Sequence, residues 1–242
     1  MQHAQLHPGT IQILYRDDHY VAVDKPSGLL MHRSAISRDR VFLLQVLRDQ
    51  LGQRVYPVHR LDRATSGVVV FGLTPDAASR LGGSFARHAV EKDYLAVARG
   101  WTAAAGVIDH PVSDDEGNGI AQSALTRYRR LARIELPFAV DRYPSTRYSL
   151  LLVAPQTGRR QQIRKHFKHI SHHLIGDTTY GNGRHNRFFR SRFGIHRLLL
   201  MAASLRFDHP YSGIPLTIGA TLDAPWQKVA TLFDTPLQPF LR

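Results

Sequence analysis

The chain has 242 residues, enough for one substantial core or two small lobes, and its 43% hydrophobic content is that of a folded protein. Lys and Arg number 32 against 19 Asp and Glu, a net charge of +13 that attracts polyanions, so nucleic acid is the favoured partner. The absence of cysteine excludes disulfides and thiolate catalysis and suits a reducing cytosol, and no apolar run reaches the roughly 18 residues of a membrane span.

Apolar runs at 11–15 and 20–23 flank the turn-like Arg16-Asp17-Asp18-His19 and predict a hairpin. Leu43, Leu44, Val46, Leu47 and Leu51 recur at helical spacing, which predicts a helix over 40–51. The continuous β-branched run 68–73 suits a strand buried on both faces. Thr74 can cap a following helix with Pro75 at its first position, running to about His88. Segments 94–98 and 147–153 read as strands, and 161–169 as a short basic helix. Strands over 198–207 and 216–220 and a helix over 223–233 complete the series. No repeat, heptad or long linker interrupts it, and hairpins mix with helices without regular β-α-β alternation. The expected fold is α+β: one domain over 1–242, core about 11–220, on a large mixed, mainly antiparallel sheet.

The densest chemistry lies in His59-Arg60-Leu61-Asp62-Arg63-Ala64-Thr65-Ser66-Gly67, a knot of charge on a turn that feeds the buried strand. A carboxylate placed there is held rigidly, as a reacting group must be. On residue chemistry alone, an Asp that merely neutralises its arginine neighbours remains open.

That stretch resembles the central motif of the RluA-type RNA pseudouridine synthases, in which the Asp is catalytic. Further elements follow in family order: Asp24-Lys25-Pro26-Ser27-Gly28 with His32, Lys92-Asp93-Tyr94, and Gly158-Arg159-Arg160-Gln161-Gln162-Ile163-Arg164-Lys165-His166. Gly176-Asp177 with Tyr180-Gly181 comes next, and Leu205, Phe207 and His209-Pro210 close the series. One departure is Gln161, where the family usually carries His. The resemblance implies isomerisation of an RNA uridine to pseudouridine, with no cofactor and no metal, by a monomer in the cytoplasm away from membranes. It makes Asp62 the catalytic carboxylate, Arg164 its ion-pair partner, and Tyr94 the ring against the target uracil.

Each assignment has a plainer counterpart. Tyr94 in a β-like run suits core packing, Arg164 suits an exposed phosphate contact, and Ile163 suits either an apolar pocket wall or a buried helix face. Arg60, Arg159, Arg160, Lys165 and Lys168 are the expected RNA-binding residues, and Arg184, Arg187, Arg190, Arg192 and Arg197 form a second basic cluster. His166, His169, His172 and His173 have spacing that invites a metal, but without cysteine or nearby acidic ligands they are expected to pack or to face RNA.

With the hairpin so near the start of the sequence, the N-terminal S4 domain of several ribosomal-RNA members is not expected. The flanks Val21-Ala22-Val23, His32-Arg33-Ser34, Arg142-Tyr143-Pro144-Ser145-Thr146-Arg147-Tyr148 and Gly194-Ile195-His196-Arg197-Leu198 resemble the single-domain enzymes acting at tRNA position 65. Another tRNA or ribosomal-RNA uridine is the alternative target, and a non-catalytic RNA-binding module the alternative class.

Overall fold

A computed structural model describes residues 10–32, 41–113 and 119–241. In chain order these form β1 (Ile13–Arg16), β2 (Tyr20–Lys25), α1 (Leu43–Leu51), β3 (Tyr56–Pro57), β4 (Ser66–Gly72) and α2 (Pro75–Ala86). Then come β5 (Glu91–Arg99), β6 (Ala105–Asp109), β7 (Val112–Ser113), β8 (Ala121–Gln122), β9 (Leu125–Leu136) and β10 (Thr146–Pro155). The last are α3 (Gln162–His169), α4 (Gly183–Phe193), β11 (Leu200–Asp208), β12 (Pro215–Gly219) and α5 (Ala224–Leu232). Residue 40 of the expected first helix, and Arg33 and Ser34 of the flanking motif, lie outside the described residues.

The run after Gly67 becomes β4, buried at every position, near the middle of a ten-stranded sheet ordered β1-β2-β4-β11-β5-β10-β9-β6. β3 pairs with β4, and β12 with β11. Among the described residues, β4 with β11 is the one parallel pairing of strands. Gly67 sits at that seam with φ +109°, and a Cβ there would lie 2.1 Å from the Ala202 carbonyl oxygen. Only glycine accepts both the torsion and the approach. The expectation of a mixed, mainly antiparallel α+β sheet holds.

Side-chain alternation gives the sheet two unlike faces. Val68, Val70, Leu95, Val97, Tyr148 and Leu150 point into one large core, shared with Leu81 of α2, Phe189 of α4 and Trp226 of α5. The opposite face carries two smaller cores. One joins Val69 and Phe71 to Leu43 and Leu47 of α1. The other joins Ala96, Leu151 and Val153 to Ile163 and Phe167 of α3. Tyr94 packs against both, so it marks where this face divides.

β3, β6, β7, β8, β9 and α4 go beyond the sequence expectations. β6 and β9 extend the sheet at one edge, and α4 covers the large core. The ends also hold local locks. The Asp17 carboxylate accepts from His19 N and Tyr20 N at 2.7 Å in the β1–β2 turn, and pairs with His209 Nε2 at 2.9 Å just past β11.

Candidate active site

Asp62 lies on the loop entering β4, in a turn closed by Thr65 N donating to the Asp62 carbonyl. Lys25, fully buried at the end of β2, fixes that loop: its Nζ donates to the carbonyls of Pro26, Arg63 and Thr65 at 2.7 to 3.1 Å. Burial pushes its pKa down to about 7, against the pull of the Asp62 charge. Ser27 Oγ and Gly28 N tie the same two segments through the carbonyls of Ala64 and Arg63. The Lys25-Pro26-Ser27-Gly28 stretch is therefore a brace for the Asp62 loop.

Asp62 opens into a cleft of about 520 Å³, a volume suited to a nucleotide, between the two smaller cores. Arg60, Tyr94, Arg159, Ile163 and Arg164 line it too, so six of the nine sequence-predicted site residues meet in one place. Arg160, Lys165 and Lys168 do not line it. The Lys165 ammonium donates to the Ser113 carbonyl and, with Lys168, lies within 6 Å of the Tyr180 ring.

Arg164 contacts Asp62, Nη1 to Oδ2, at 3.5 Å. Its principal partner is Asp177, bound through Nε at 2.7 Å and Nη2 at 2.8 Å, a two-pronged pair with the carboxylate 1% exposed. The expectation of an Asp62–Arg164 ion pair thus holds in part: Asp177 grips the guanidinium, which presents its remaining prong to Asp62. Burial opposes the Asp177 charge. The bonds from Arg164 and from the backbone N–H of Tyr180 and Thr179 nevertheless leave its pKa below the usual carboxylate range. Arg164 itself, at 6% side-chain exposure, is no exposed phosphate contact.

Gln161, at the place of the family's usual His, begins α3 in a left-handed conformation (φ +56°). Its Oε1 accepts from the Tyr180 hydroxyl at 2.7 Å, and the Tyr180 ring lies 5.2 Å from the Arg164 guanidinium carbon. Gln162 spends both ends of its amide. Oε1 accepts from Thr157 Oγ1 and Arg159 N, while Nε2 donates to the Leu125 carbonyl and Thr126 Oγ1. It ties the Arg159 loop to β9.

Burial, with the Asp62 charge behind it, pushes the Tyr94 phenol far above its ordinary value, so it stays protonated at neutral pH. His59 stacks on Phe85 at 4.6 Å, and its Nε2 accepts from Val70 N at 3.1 Å. Burial pushes its pKa down to about 3, helped by the Lys92 charge. His59, Lys92 and Phe85 all line the cleft, yet sequence reasoning gave them no role. His59 and Lys92 stand inside the quoted motifs, which was the available signal.

Three of the four histidines in and just after α3 turn to the backbone. His166, His172 and His173 reach the carbonyls of His110, Arg99 and Tyr180, while His169 stacks on His110 at 3.7 Å. In the second basic cluster, Arg197 pairs with Asp223 at 2.6 Å and Arg184 pairs with Asp141. Arg187, Arg190 and Arg192 stay exposed on α4.

The sequence model for RNA pseudouridylate synthase matches residues 19–169. A "tRNA pseudouridine synthase C" of Vibrio cholerae is 46% identical over 92% of this chain and 96% of its own length. Its namesake from Vibrio parahaemolyticus is 43% identical over 94% and 96%. Among solved structures, Human RNA Pseudouridylate Synthase Domain Containing 4 superposes with a TM-score of 0.72 at 22% identity, covering 92% of this chain and 93% of that one; it shares the fold. With a family match over more than half its length, this chain belongs to the RNA pseudouridylate synthases.

Proposed function

We propose that the chain converts one uridine of tRNA, that at position 65, to pseudouridine, with Asp62 as the reacting carboxylate. The reading is carried by the convergence of Asp62 and Arg164, 102 residues apart in sequence, in the cleft that Tyr94 lines. Support for tRNA comes from the names of the relatives, and support for position 65 from the motif flanks.

The reaction breaks the N1–C1′ bond, turns the uracil and forms C5–C1′. The C5 proton leaves and N1 gains one, so the change is redox-neutral. Attack at C1′ and removal of the C2′ proton both start from an ionised carboxylate. Arg164, fixed by Asp177, sets a positive charge 3.5 Å from that carboxylate and points it in one direction. Tyr94 supplies a ring face for the base, and its protonated hydroxyl acts as a donor rather than as the base that takes the C5 proton. Arg60, Lys92 and Arg159 at the cleft surround the extruded nucleotide with positive charge. Arg160, Lys165 and Lys168 hold the flanking backbone, and the protein works as a cytoplasmic monomer.

The test is tritium release from tRNA carrying C5-labelled uridine, with the modified position mapped by chemical labelling. Release with modification at position 65 is expected. Modification elsewhere removes the positional assignment, and absence of release removes the enzyme.

A further inference from the structure

A second cavity, of about 490 Å³, opens where β5 and β10 end away from the cleft. Tyr94 faces Val153 in that ladder and Arg99 faces Tyr148, so the two sites stand five residues apart, roughly 17 Å along the strands. Arg99, Arg147 and His172 line the second cavity, and none of the described residues lining it is acidic. The carboxylates nearby are already engaged: Glu135 with Arg147 at 3.2 Å, and Asp141 with Arg184. Arg99 makes no ion pair among the described residues, so its charge is available to a ligand.

One lining side chain carries a polar atom that fold formation leaves unused. His185 Nε2 is buried without a hydrogen-bond partner, in a residue 4% exposed. Unmet polar atoms at such burial are uncommon and costly in a finished core. The other ring nitrogen of His185 is held by the Tyr148 hydroxyl at 2.8 Å. Burial, with the charge of Arg99, pushes the imidazole down to about 4, so it is a neutral hydrogen-bonding group. At the mouth stands Tyr143, 47% exposed, with the Arg142 guanidinium carbon 5.1 Å from its ring centre and aromatic surface left for a base.

Helix α3 connects this cavity with the cleft. Its first residues line the cleft, Lys165 and Lys168 lie along it, and Ser171 and His172 just past its end line the second cavity. We infer that the second cavity binds a nucleotide of the substrate RNA other than the target, its phosphate on Arg99 and its base against Tyr143. This rests on the proposed RNA substrate and adds a second anchoring point to it. The pocket holds the RNA so that the target nucleotide reaches Asp62 in register.

The test compares the full-length wild type with Arg99→Gln, Arg99→Lys and Tyr143→Ala on unmodified tRNA transcript. For Arg99→Gln, KM should rise about 5- to 20-fold with kcat within about twofold of wild type. The slope of log affinity against log salt should shrink by about one counterion, and Lys should restore most of it. Tyr143→Ala, altered at an exposed site, should raise KM in the same direction. Wild-type KM and salt slope in both Arg99→Gln and Tyr143→Ala would overturn the inference. Wild-type turnover alone reads the proposed function; the difference between wild type and variants reads the pocket. A further arm titrates uridine 5′-monophosphate and follows the Gly100 amide by NMR. Displacement of the nucleotide by tRNA is expected, whereas simultaneous binding of both would make this a free-nucleotide site and reject the RNA assignment.

Discussion

Asp177 holds two nitrogens of Arg164 at 2.7 and 2.8 Å, whereas Asp62 meets the same guanidinium at 3.5 Å. The stronger pair is structural, and the weaker one faces the cleft. This division suits a reacting carboxylate, because Arg164 can steady the Asp62 charge without saturating both of its oxygens. Asp177 is then a positioning residue, acting on the reaction through Arg164.

Replacing Asp177 with Asn should expose that role. Removing one member of a buried pair leaves Arg164 with Asp62 as its remaining carboxylate and should cost about 3 to 5 kcal/mol of stability. Arg164 is then free to close on Asp62, so kcat should fall about 100-fold, with KM less affected. Denaturant unfolding alongside steady-state kinetics on tRNA measures both. A variant with lowered stability but normal kcat in its folded fraction would make Asp177 purely architectural.

Gln162 fills all four of its hydrogen bonds between the Arg159 loop and β9. Gln162→Leu keeps the bulk, leaves buried partners unmet, and should destabilise by about 2 to 4 kcal/mol. RNA affinity should drop with it, since Arg159 loses its support. Urea midpoints and a fluorescence-anisotropy titration check both effects.

His59 gives the fold an acid sensitivity with a defined sign. Its pKa falls from the ordinary 6.5 to about 3 on folding, so between these values the unfolded chain binds more protons than the native one. The native stabilisation is complete above pH 6.5 and is lost as the pH drops towards 3. The slope cannot exceed roughly 1.4 kcal/mol per pH unit for this one group. His59→Gln retains an acceptor for Val70 N and lacks the titration. Its urea midpoint should therefore fall less steeply than that of wild type between pH 6.5 and 4.

How much of this was legible in the sequence varied with the physics of each element. β4 declared itself because burial on both faces demands an unbroken apolar run, and α2 because Thr74 and Pro75 supply its cap and first turn, with Ala77 N bonded to Thr74 Oγ1. β9 hid because its arginines blur the alternation, and because an extra residue at Leu131 shifts the register against β10. Arg130 turns inward to the Thr102 carbonyl, which no period-two pattern anticipates. α4 is rich in Phe and Arg, yet its signals were present: Asn182 caps it, Gly194 ends it at φ +63°, and His185, Phe188, Phe189 and Phe193 share one face. At the site, ordered motifs located Asp62, Tyr94 and Arg164. The preference of Arg164 for Asp177 depends on ångström differences that spacing in sequence does not encode.

In the proposed reaction the Asp62 carboxylate performs the chemistry while the surrounding cations hold the RNA. Single-turnover tritium release with Asp62→Asn, read beside the dissociation constant of the same complex, tests it most directly. Release at least roughly 1,000-fold slower is expected, with affinity within about threefold of wild type. Release at a near wild-type rate from the Asn variant would contradict it.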